Sequence, residues 1–406
     1  MNKILKYPIL ITLFYLNQLV SILLSIIYNF ILFYFLTKYK NLKIFILPTD
    51  TFGTTLQRLI NYQEFIKKEK LKIKNILFVL NKVKYTNTEI YPLISNNFNA
   101  IENNLLFNFF LKCSLLNKKK FFNTSNIKNH NPSFEYNILV SKLRFDKNQI
   151  QKKKIILKKI GIKKKFVCIS NRDNFFHNNK NFNNYRNSKF EKLNLAIKYL
   201  KKKNYQIVRM GSYEDTKKKN YISLQKLSKN ERDLADLILP SIAEFSICGV
   251  SGLNYVPRLF NKYSIIHNFV PYNLAGGLGK SIIVPKLITK RKMKLNYSQL
   301  KKINSFKIEA YFDNILNWKF IRKINVTEFQ SDFLYKRNDL NLIDNSSFDI
   351  LNSVKELIAL INNKYLDKNY LKKNDKIMKE CFKNIVNKNT YISKKWLDKN
   401  NFFYKF

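Results

Sequence analysis

The stretch from Phe166 to Gly211 constrains the fold of this chain more than any other part of it. It begins with a short apolar run, Phe166 to Ile169, which predicts a buried strand, and a second such run, Tyr205 to Val208, predicts another. An amphipathic helix is expected between them. In open α/β sheets, ligands bind beyond the carboxyl ends of such strands. The unit therefore predicts an α/β fold with a ligand site at the loop after the first strand, whose polar residues are Ser170, Asn171, Arg172, Asp173, His177, Tyr185, Arg186 and Asn187.

The predicted helix of this unit has a start signal, an apolar face and a stop signal. Ser188 and Glu191 have the S-x-x-E spacing of a capping box, in which each side chain bonds to the other residue's backbone amide. Lysines at 201–203 suit the last turn, where the helix dipole favours cations. The apolar face expected from helical spacing comprises Phe190, Leu193, Ile197 and Leu200.

The amino-terminal residues predict a membrane segment over 1–40. No charged residue lies between Lys6 and Lys38, and about 20 apolar residues suffice to span a bilayer. A cleaved signal peptide is the alternative, but the run is too long and has no small-residue cleavage site. Polar residues recur every four positions within the run, so the segment either spans the bilayer or lies in the plane of its interface. They are Asn17, Ser21, Ser25 and Asn29.

The charge balance predicts an anionic partner. The formal net charge is +47, from 74 basic and 27 acidic residues, although a general drift of composition towards lysine is an alternative explanation. The lysines occur in scattered short runs, not in one stripe interleaved with aromatic residues, so binding to nucleic acid is not expected. Anionic lipid headgroups are the expected partner of this surface.

The cysteines indicate the compartment. The chain has four, with no C-x-x-C pair, which disfavours a zinc ribbon or a redox motif. Widely spaced free cysteines suit a reducing compartment. Together with the membrane segment, they predict a protein of the inner (cytoplasmic) membrane whose larger part faces the cytoplasm.

Similar patterns divide the rest of the chain into two α/β halves and a tail. Leu42 to Leu47 and Ile76 to Leu80 predict strands, and a turn at Gly53 leads into a helix. The predicted domains are 41–155, 156–290 and a helical extension, 291–406, that packs on both. The clearest helix of the extension is predicted over Asp349 to Tyr365, capped by Ser346 or Ser347.

A second strand–turn–helix lies at residues 245–260. Phe245 to Cys248 is expected to be extended, and Gly249-Val250-Ser251-Gly252 follows. Two glycines let the backbone approach a ligand, and a helix amino-terminus favours negative charge, although a plain tight turn is the alternative. Pro257 should shorten or kink the helix. The next predicted strand, Ser264 to His267, ends at Asn268.

Several of these blocks occur in the same order in a known family. They are ISNRDNFFH, NNYRN, YQIVRMG, FSICGVSGL, IIHNFVP and IIVPK. Over residues 160–290 the chain resembles a family of bacterial glycosyltransferases from surface-polysaccharide gene clusters, including those of lipopolysaccharide. The resemblance implies a GT-B-like fold of two Rossmann-like domains. It also implies a nucleotide-sugar donor on the C-terminal domain and acceptor and catalytic groups largely on the N-terminal one.

Transfer of a hexosyl or related group to a lipid-linked glycan requires stabilisation of the departing diphosphate. No D-x-D motif stands out near either turn, so we expect a metal-independent reaction with no cofactor besides the donor. The predicted donor-binding residues are Arg172, Arg186, Asn187, Arg209, Gly211, Gly249, Ser251, Gly252, Asn268 and Lys286. Asp50, Asp173 and His177 are the candidate bases. A GT-B-like nucleotide-sugar epimerase and a non-catalytic, membrane-associated polyanion-binding protein are the alternatives.

Overall fold

The computed structural model describes most of the chain between residues 41 and 404. The described residues are 41–49, 51–81, 87–116, 120–122, 143–173, 184–211, 220–270, 279–296, 298–299, 308–313, 319–324, 339–362, 367–381 and 389–404, with Tyr34, Lys38 and Tyr335. Apart from Tyr34 and Lys38, the predicted membrane segment lies outside them. Within the described ranges, no helix is both long and apolar enough to cross a bilayer.

The first lobe is a four-stranded parallel sheet with three helices. The strands are β1 (Lys43–Leu47), β2 (Ile76–Leu80), β3 (Asn99–Glu102) and β4 (Phe121–Phe122), in the order β3-β2-β1-β4. The helices are α1 (Phe52–Lys68), α2 (Ile90–Ser95) and α3 (Asn104–Leu116). The ring of Phe45 stacks between those of Phe78 and Phe122, at centroid distances of 5.4 and 5.0 Å. Both strands predicted in this half are confirmed.

A single helix, α4 (Lys147–Ile160), leads into the second lobe. Asp146 and Gln149 form a capping box at its start, and Gly161 ends it in a left-handed conformation. The lobe's first strands are β5 (Phe166–Ser170), β6 (Gln206–Arg209), β7 (Ile222–Ser223), β8 (Phe245–Cys248), β9 (Tyr263–Phe269) and β10 (Ser281–Pro285). Its helices are α5 (Asn194–Lys202), α6 (Lys229–Ile242) and α7 (Tyr255–Leu259). Pro257 lies in the short α7, as its position predicted.

The segment predicted as a helical extension is mixed. The strand β11 (Leu287–Lys290) lies just before this segment. The segment itself contains β12 (Met293–Lys294), β13 (Ile308–Asp313), β14 (Lys319–Ile324), β15 (Leu340–Ile343) and β16 (Thr390–Ile392). Its helices are α8 (Ser347–Ile361), α9 (Lys368–Cys381) and α10 (Lys394–Lys399). The prediction of helix alone was therefore wrong, since it overlooked these strands. Ser346, one of the two predicted caps, forms a capping box with Asp349 at the start of α8.

The strand β16 completes the second sheet. It pairs with β10, which gives seven parallel strands in the order β16-β10-β9-β8-β5-β6-β7. From β7 to β10 this is the strand order of a doubly wound Rossmann sheet. The structure is therefore mixed α/β with parallel sheets, as the sequence predicted, whereas the predicted domain boundaries stay a prediction.

The two lobes share a buried contact. Apolar residues of α1 and of α7 belong to one cluster, and Phe260 stacks on Phe145 at a centroid distance of 5.0 Å. Within this contact, Glu64 of α1 and Arg258 of α7 form an ion pair with only 3% and 5% of their side chains exposed. At its margin, the Asp233 carboxylate accepts hydrogen bonds from the amide and the hydroxyl of Thr88, both at 3.0 Å.

Candidate functional site

The second sheet has a topological switch point between β5 and β8. From β5 the chain winds outward through β6 and β7, and it then returns to β8 on the other side of β5. The connections at such a switch point run to opposite faces of the sheet, and ligands of such sheets bind in the crevice between them, at the carboxyl ends of the strands. These loops are residues 171–173 and 249–252, two of the segments in which the sequence predicted donor-binding residues.

Glycines allow the chain segments at this crevice to approach closely. A Cβ on Gly249 would lie 3.2 Å from the amide nitrogen of Arg172, and one on Gly252 would lie 2.9 Å from the backbone of Gly53. Gly53 lies in the first turn of α1, just beyond the carboxyl end of β1. The carboxyl edges of the two sheets therefore meet at the contact of Gly53 with Gly252.

Ser251 Oγ, in the turn after β8, is one of the buried polar atoms at the crevice that have no hydrogen-bond partner within the described residues. Buried polar atoms without a partner are few in folded proteins, and each needs an explanation such as a bound molecule. Ser251 was among the predicted donor-binding residues, whereas His267 was named only as the end of a strand.

A pair of asparagines fixes the ring of His267. Asn268, at a φ of 52°, donates its amide to Asn345 Oδ1, and Asn345 donates its own to Asn268 Oδ1 at 2.7 Å. The Asn268 side chain lies 3.1 Å from His267 Nδ1. If Asn268 Nδ2 is the donor, Nδ1 accepts, and the proton of the neutral ring is on Nε2.

The environment of His267 keeps the imidazole neutral. Burial lowers the pKa of His267 to about 4, and the charge of Lys286 lowers it further, whereas the Ser170 backbone and Asp344 act in the opposite direction. His267 therefore offers a neutral hydrogen-bond donor over the physiological pH range. It cannot serve as an imidazolium there.

Lys286 supplies a buried cation at the same edge. Its ammonium donates to Asp344 Oδ1 at 2.8 Å and to the carbonyl of Asn187 at 2.7 Å. Burial lowers the pKa of Lys286, and the Asp344 carboxylate counteracts this effect. The structure thus brings two predicted residues, Lys286 and Asn187, into direct contact.

The loop after β5 is tied to residues 187–188. The Ser188 hydroxyl donates to Asn171 Oδ1, Asn171 Nδ2 donates to the Ser188 carbonyl at 2.6 Å, and the Ser188 amide donates to the Arg172 carbonyl at 3.0 Å. The predicted capping box of Ser188 with Glu191 is therefore wrong. Ser188 is used by a distant loop, and a 3₁₀ turn over residues 190–193 precedes α5.

Arg209 lies at the carboxyl end of β6 between two aromatic rings. Its guanidinium is 3.9 Å from the Phe190 centroid and 5.2 Å from that of Tyr221, whose hydroxyl it bonds at 2.8 Å. Arg186 similarly donates to the Tyr185 hydroxyl at 2.9 Å. These contacts hold both guanidinium groups, and their roles in donor binding stay predictions.

Gly211 and Asp236 form a further contact near this edge. Gly211 has a φ of 82°, and its amide donates to the Asp236 carboxylate. Burial, and after it the charge of Asp233, raises the pKa of Asp236 to about 7, whereas the Gly211 amide and Arg232 act to lower it.

The three candidate bases are only partly described. Asp173 is half-buried at the end of the loop after β5, whereas Asp50 and His177 lie outside the described residues. In the described part of the chain, no group of three or more His, Cys, Asp or Glu side chains could hold a metal ion. The Lys286 ammonium and the Ser251 hydroxyl are groups that can bind an anion, and both lie at the carboxyl edge of the second sheet.

Replacing His267 by Gln should remove an acid-sensitive part of the stability. The folded-state pKa is about 4 against 6.5 for the free side chain, so between these values only the unfolded chain binds the proton. The contribution of His267 to the free energy of unfolding is thus fully present above pH 6.5. It decreases as the pH falls, by about 2 kcal/mol at pH 5. Urea denaturation of both proteins at pH 5 and pH 8 measures this. Asp236 acts in the opposite direction, so the difference between the proteins is the readout, and parallel pH curves would contradict the prediction.

Comparisons with known proteins leave the family open. No protein-family model and no curated protein matches the chain. One similar solved structure is the iron-containing dodecameric glycosyltransferase TibC of enterotoxigenic E. coli, at 13% identity, a TM-score of 0.32 and coverage of 58% of this chain and 60% of that one.

Two further solved structures are similar to the chain. The ADP-heptose LPS heptosyltransferase II of E. coli has 13% identity and a TM-score of 0.36, over 61% of this chain and 91% of that one. The TibC heptosyltransferase in complex with ADP-D-β-D-heptose has 12% identity and a TM-score of 0.37, over 79% of this chain and 77% of that one. Identities and TM-scores of this size do not establish membership of a family.

Proposed function

We propose that the chain is a glycosyltransferase that moves a sugar from a nucleotide-sugar donor to a membrane-associated, lipid-linked glycan in surface-polysaccharide synthesis. The observation that carries the proposal is the meeting of two parallel sheets at their carboxyl edges, where Gly53 touches Gly252. Ligands of parallel sheets bind at this edge. Transfer between two substrates needs both of them within reach of each other, and two such binding edges side by side can hold them.

The chemistry of the second lobe fits a donor diphosphate. The leaving diphosphate carries negative charge that has to be stabilised as the sugar departs. Lys286 supplies a cation, and the Ser251 hydroxyl is buried without a partner in the described part of the chain. We assign the donor to this lobe, with Arg172 and Arg186 as further contacts, and we propose that the reaction needs no metal. Asp50, Asp173 and His177 remain the candidates for the base.

The membrane part of the proposal rests on the sequence. The uncharged run between Lys6 and Lys38 would hold the protein at the inner membrane, with the lobes on the cytoplasmic side. The lysine-rich surface would face anionic headgroups there. The blocks shared with surface-polysaccharide glycosyltransferases lie at residues 160–290, which include both loops of the crevice and Lys286.

A thermal-shift panel on the full-length protein in a mild detergent tests the function. The probes are ADP-heptose, UDP-glucose, GDP-mannose, dTDP-rhamnose and CMP-sialic acid. At least one should raise the melting temperature by several degrees, because a ligand at 100 times its Kd adds about 2.7 kcal/mol. If none does, a non-catalytic polyanion-binding protein becomes the better hypothesis. Recovery of the protein in the soluble fraction without detergent would contradict the membrane part.

The same panel locates the site through two serines. Ser251 and Ser246 both have a buried hydroxyl without a partner within the described residues, but only Ser251 lies in the turn after β8. Replacing Ser251 by Ala should leave the melting temperature unchanged and weaken donor binding about tenfold, the size of one hydrogen bond to a charged group. Ser246→Ala is the matched control and should bind as the wild type does. Equal affinities of both variants would remove Ser251 from the site.

A further inference from the structure

Two residues of the carboxyl-terminal segment reach the candidate donor site. Asp344 and Asn345 lie between β15 and α8, in the part of the chain predicted to be only a helical extension. They contact Lys286 and Asn268, which follow or end neighbouring strands of the second sheet. Residues of the loop between β15 and α8 therefore contact the carboxyl edge of the second sheet, although neither of them belongs to a strand of that sheet.

Asp344 provides the counter-charge of a buried ammonium. The side chain of Lys286 is only 3% exposed, whereas that of Asp344 is 30% exposed. A buried cation is costly unless it is paired and hydrogen-bonded. The Asp344 carboxylate and the Asn187 carbonyl meet this need, and they fix the direction of the ammonium.

Asn345 fixes the neighbouring strand end. It exchanges two hydrogen bonds with Asn268, and its side-chain amide donates to the Pro285 carbonyl at 2.8 Å. Asn268 is 0% exposed and has a left-handed backbone conformation, which is uncommon outside glycine. The Asn345 contacts hold this conformation, and through it the Asn268 side chain beside the ring of His267.

We propose that Asp344 and Asn345 are positioning residues of the donor site, and that Asp344 keeps Lys286 charged and aimed for the diphosphate of the donor. This inference rests on the proposed function. It means that the C-terminal segment completes the site without touching the reacting atoms. Lys286 would contact the diphosphate, and Asp344 would act through Lys286.

The role of Asp344 predicts a specific pH dependence. Burial lowers the pKa of Lys286 and Asp344 opposes this, so loss of the carboxylate should lower that pKa further. Within the described residues, His267 also interacts with Lys286, and it is neutral above pH 7. Without Asp344, the ammonium should therefore lose its proton as the pH rises, and anion binding should weaken with it.

The test compares Asp344→Asn with the wild type, using the full-length protein in detergent. ADP, UDP and GDP are titrated at pH 7.5 and 9.5, where the charge of their phosphates is constant because the last phosphate pKa is about 6, and the wild-type protein reports any effect of ionisation of the uracil and guanine bases on binding. We expect Asp344→Asn to lose at least about tenfold more affinity at pH 9.5 than at pH 7.5, the loss of one charge-assisted contact. The wild type should change much less, and Asp344→Glu should restore its profile.

Glu244→Gln is the matched control. Glu244 pairs with Lys165 at the opposite edge of the same sheet, and its side chain is 29% exposed, nearly as much as that of Asp344. Its variant should bind as the wild type does at both pH values. Asp344→Ser is a second variant that also removes the charge but keeps a hydroxyl that can accept a hydrogen bond. It should show the same pH dependence of binding as Asp344→Asn.

The outcomes separate the two proposals. If the wild type binds none of the nucleoside diphosphates, the proposed function fails. If the wild type binds one and the Asp344→Asn and Asp344→Ser profiles are parallel to its own, the positioning role of Asp344 is overturned. Unfolding of both variants would also overturn it, because Asp344 would then serve the stability of the fold.

Discussion

Replacing Glu64 by Gln should lower the free energy of unfolding by about 3–5 kcal/mol. The substitution keeps the size of the side chain but removes the negative charge that pairs with the Arg258 guanidinium, which is 5% exposed at the contact between the lobes. Loss of one charge of a buried pair is among the largest single effects on stability. Urea denaturation at neutral pH measures the loss.

A double variant gives this prediction its sharpest test. Burial raises the pKa of Glu64, and this effect outweighs the lowering by Arg258, so desolvation is the larger contribution. Replacing both residues by apolar ones, as in Glu64→Leu with Arg258→Met, should therefore restore stability to the wild-type value or above it. Glu244→Gln breaks an exposed pair and should cost under about 1 kcal/mol. If Glu64→Gln lowered the free energy of unfolding by an equally small amount, the pair of Glu64 with Arg258 would not be buried in solution.

Replacing Gly53 by Ala should lower the free energy of unfolding by about 3 kcal/mol, at the upper end of overpacking effects. The added Cβ would lie 2.6 Å from the Cα of Gly252, and backbone cannot move aside as a side chain can. The sign is informative, because Ala in place of Gly within a helix ordinarily stabilises by about 0.5–1 kcal/mol. Thermal and urea denaturation both measure the change.

Gly161→Ala is the control for this effect. A Cβ on Gly161 would meet nothing within 4 Å, but the residue has a φ of 74°. Its variant should lose only about 1–2 kcal/mol, from backbone strain. A Gly53→Ala protein as stable as the wild type would mean that the two sheets do not touch at Gly53 and Gly252.

Local patterns predicted the parallel strands well. Ile76–Leu80 was predicted at its observed bounds, and Phe166–Ser170 within one residue, because buried parallel strands are continuous apolar runs bounded by polar loops. The cap of α8 at Ser346 was also predictable, since its partner Asp349 lies three residues away. Each of these features is decided by neighbours in the sequence.

Contacts between distant residues were not predictable in this way. Ser188 has the spacing of a capping box, but it bonds to Asn171 on another loop. Glu64 and Arg258 are 194 residues apart, and nothing in either local pattern indicates the pair. At the site, the sequence named Ser251 and Lys286 from their positions after strands. It could not name Asp344 and Asn345, because the fold of the segment that carries them was not apparent.

The last strand of the second sheet has a consequence for synthesis on the ribosome. The Thr390 hydroxyl bonds the Gly279 carbonyl at 2.8 Å, across 111 positions of the chain. At about 5–20 residues per second, roughly 5–20 seconds separate the emergence of the two partners. During that interval β10 presents an unpaired, apolar edge to other nascent chains. A stalled or truncated polypeptide of this protein should therefore be a preferred client of chaperones that shield exposed strands.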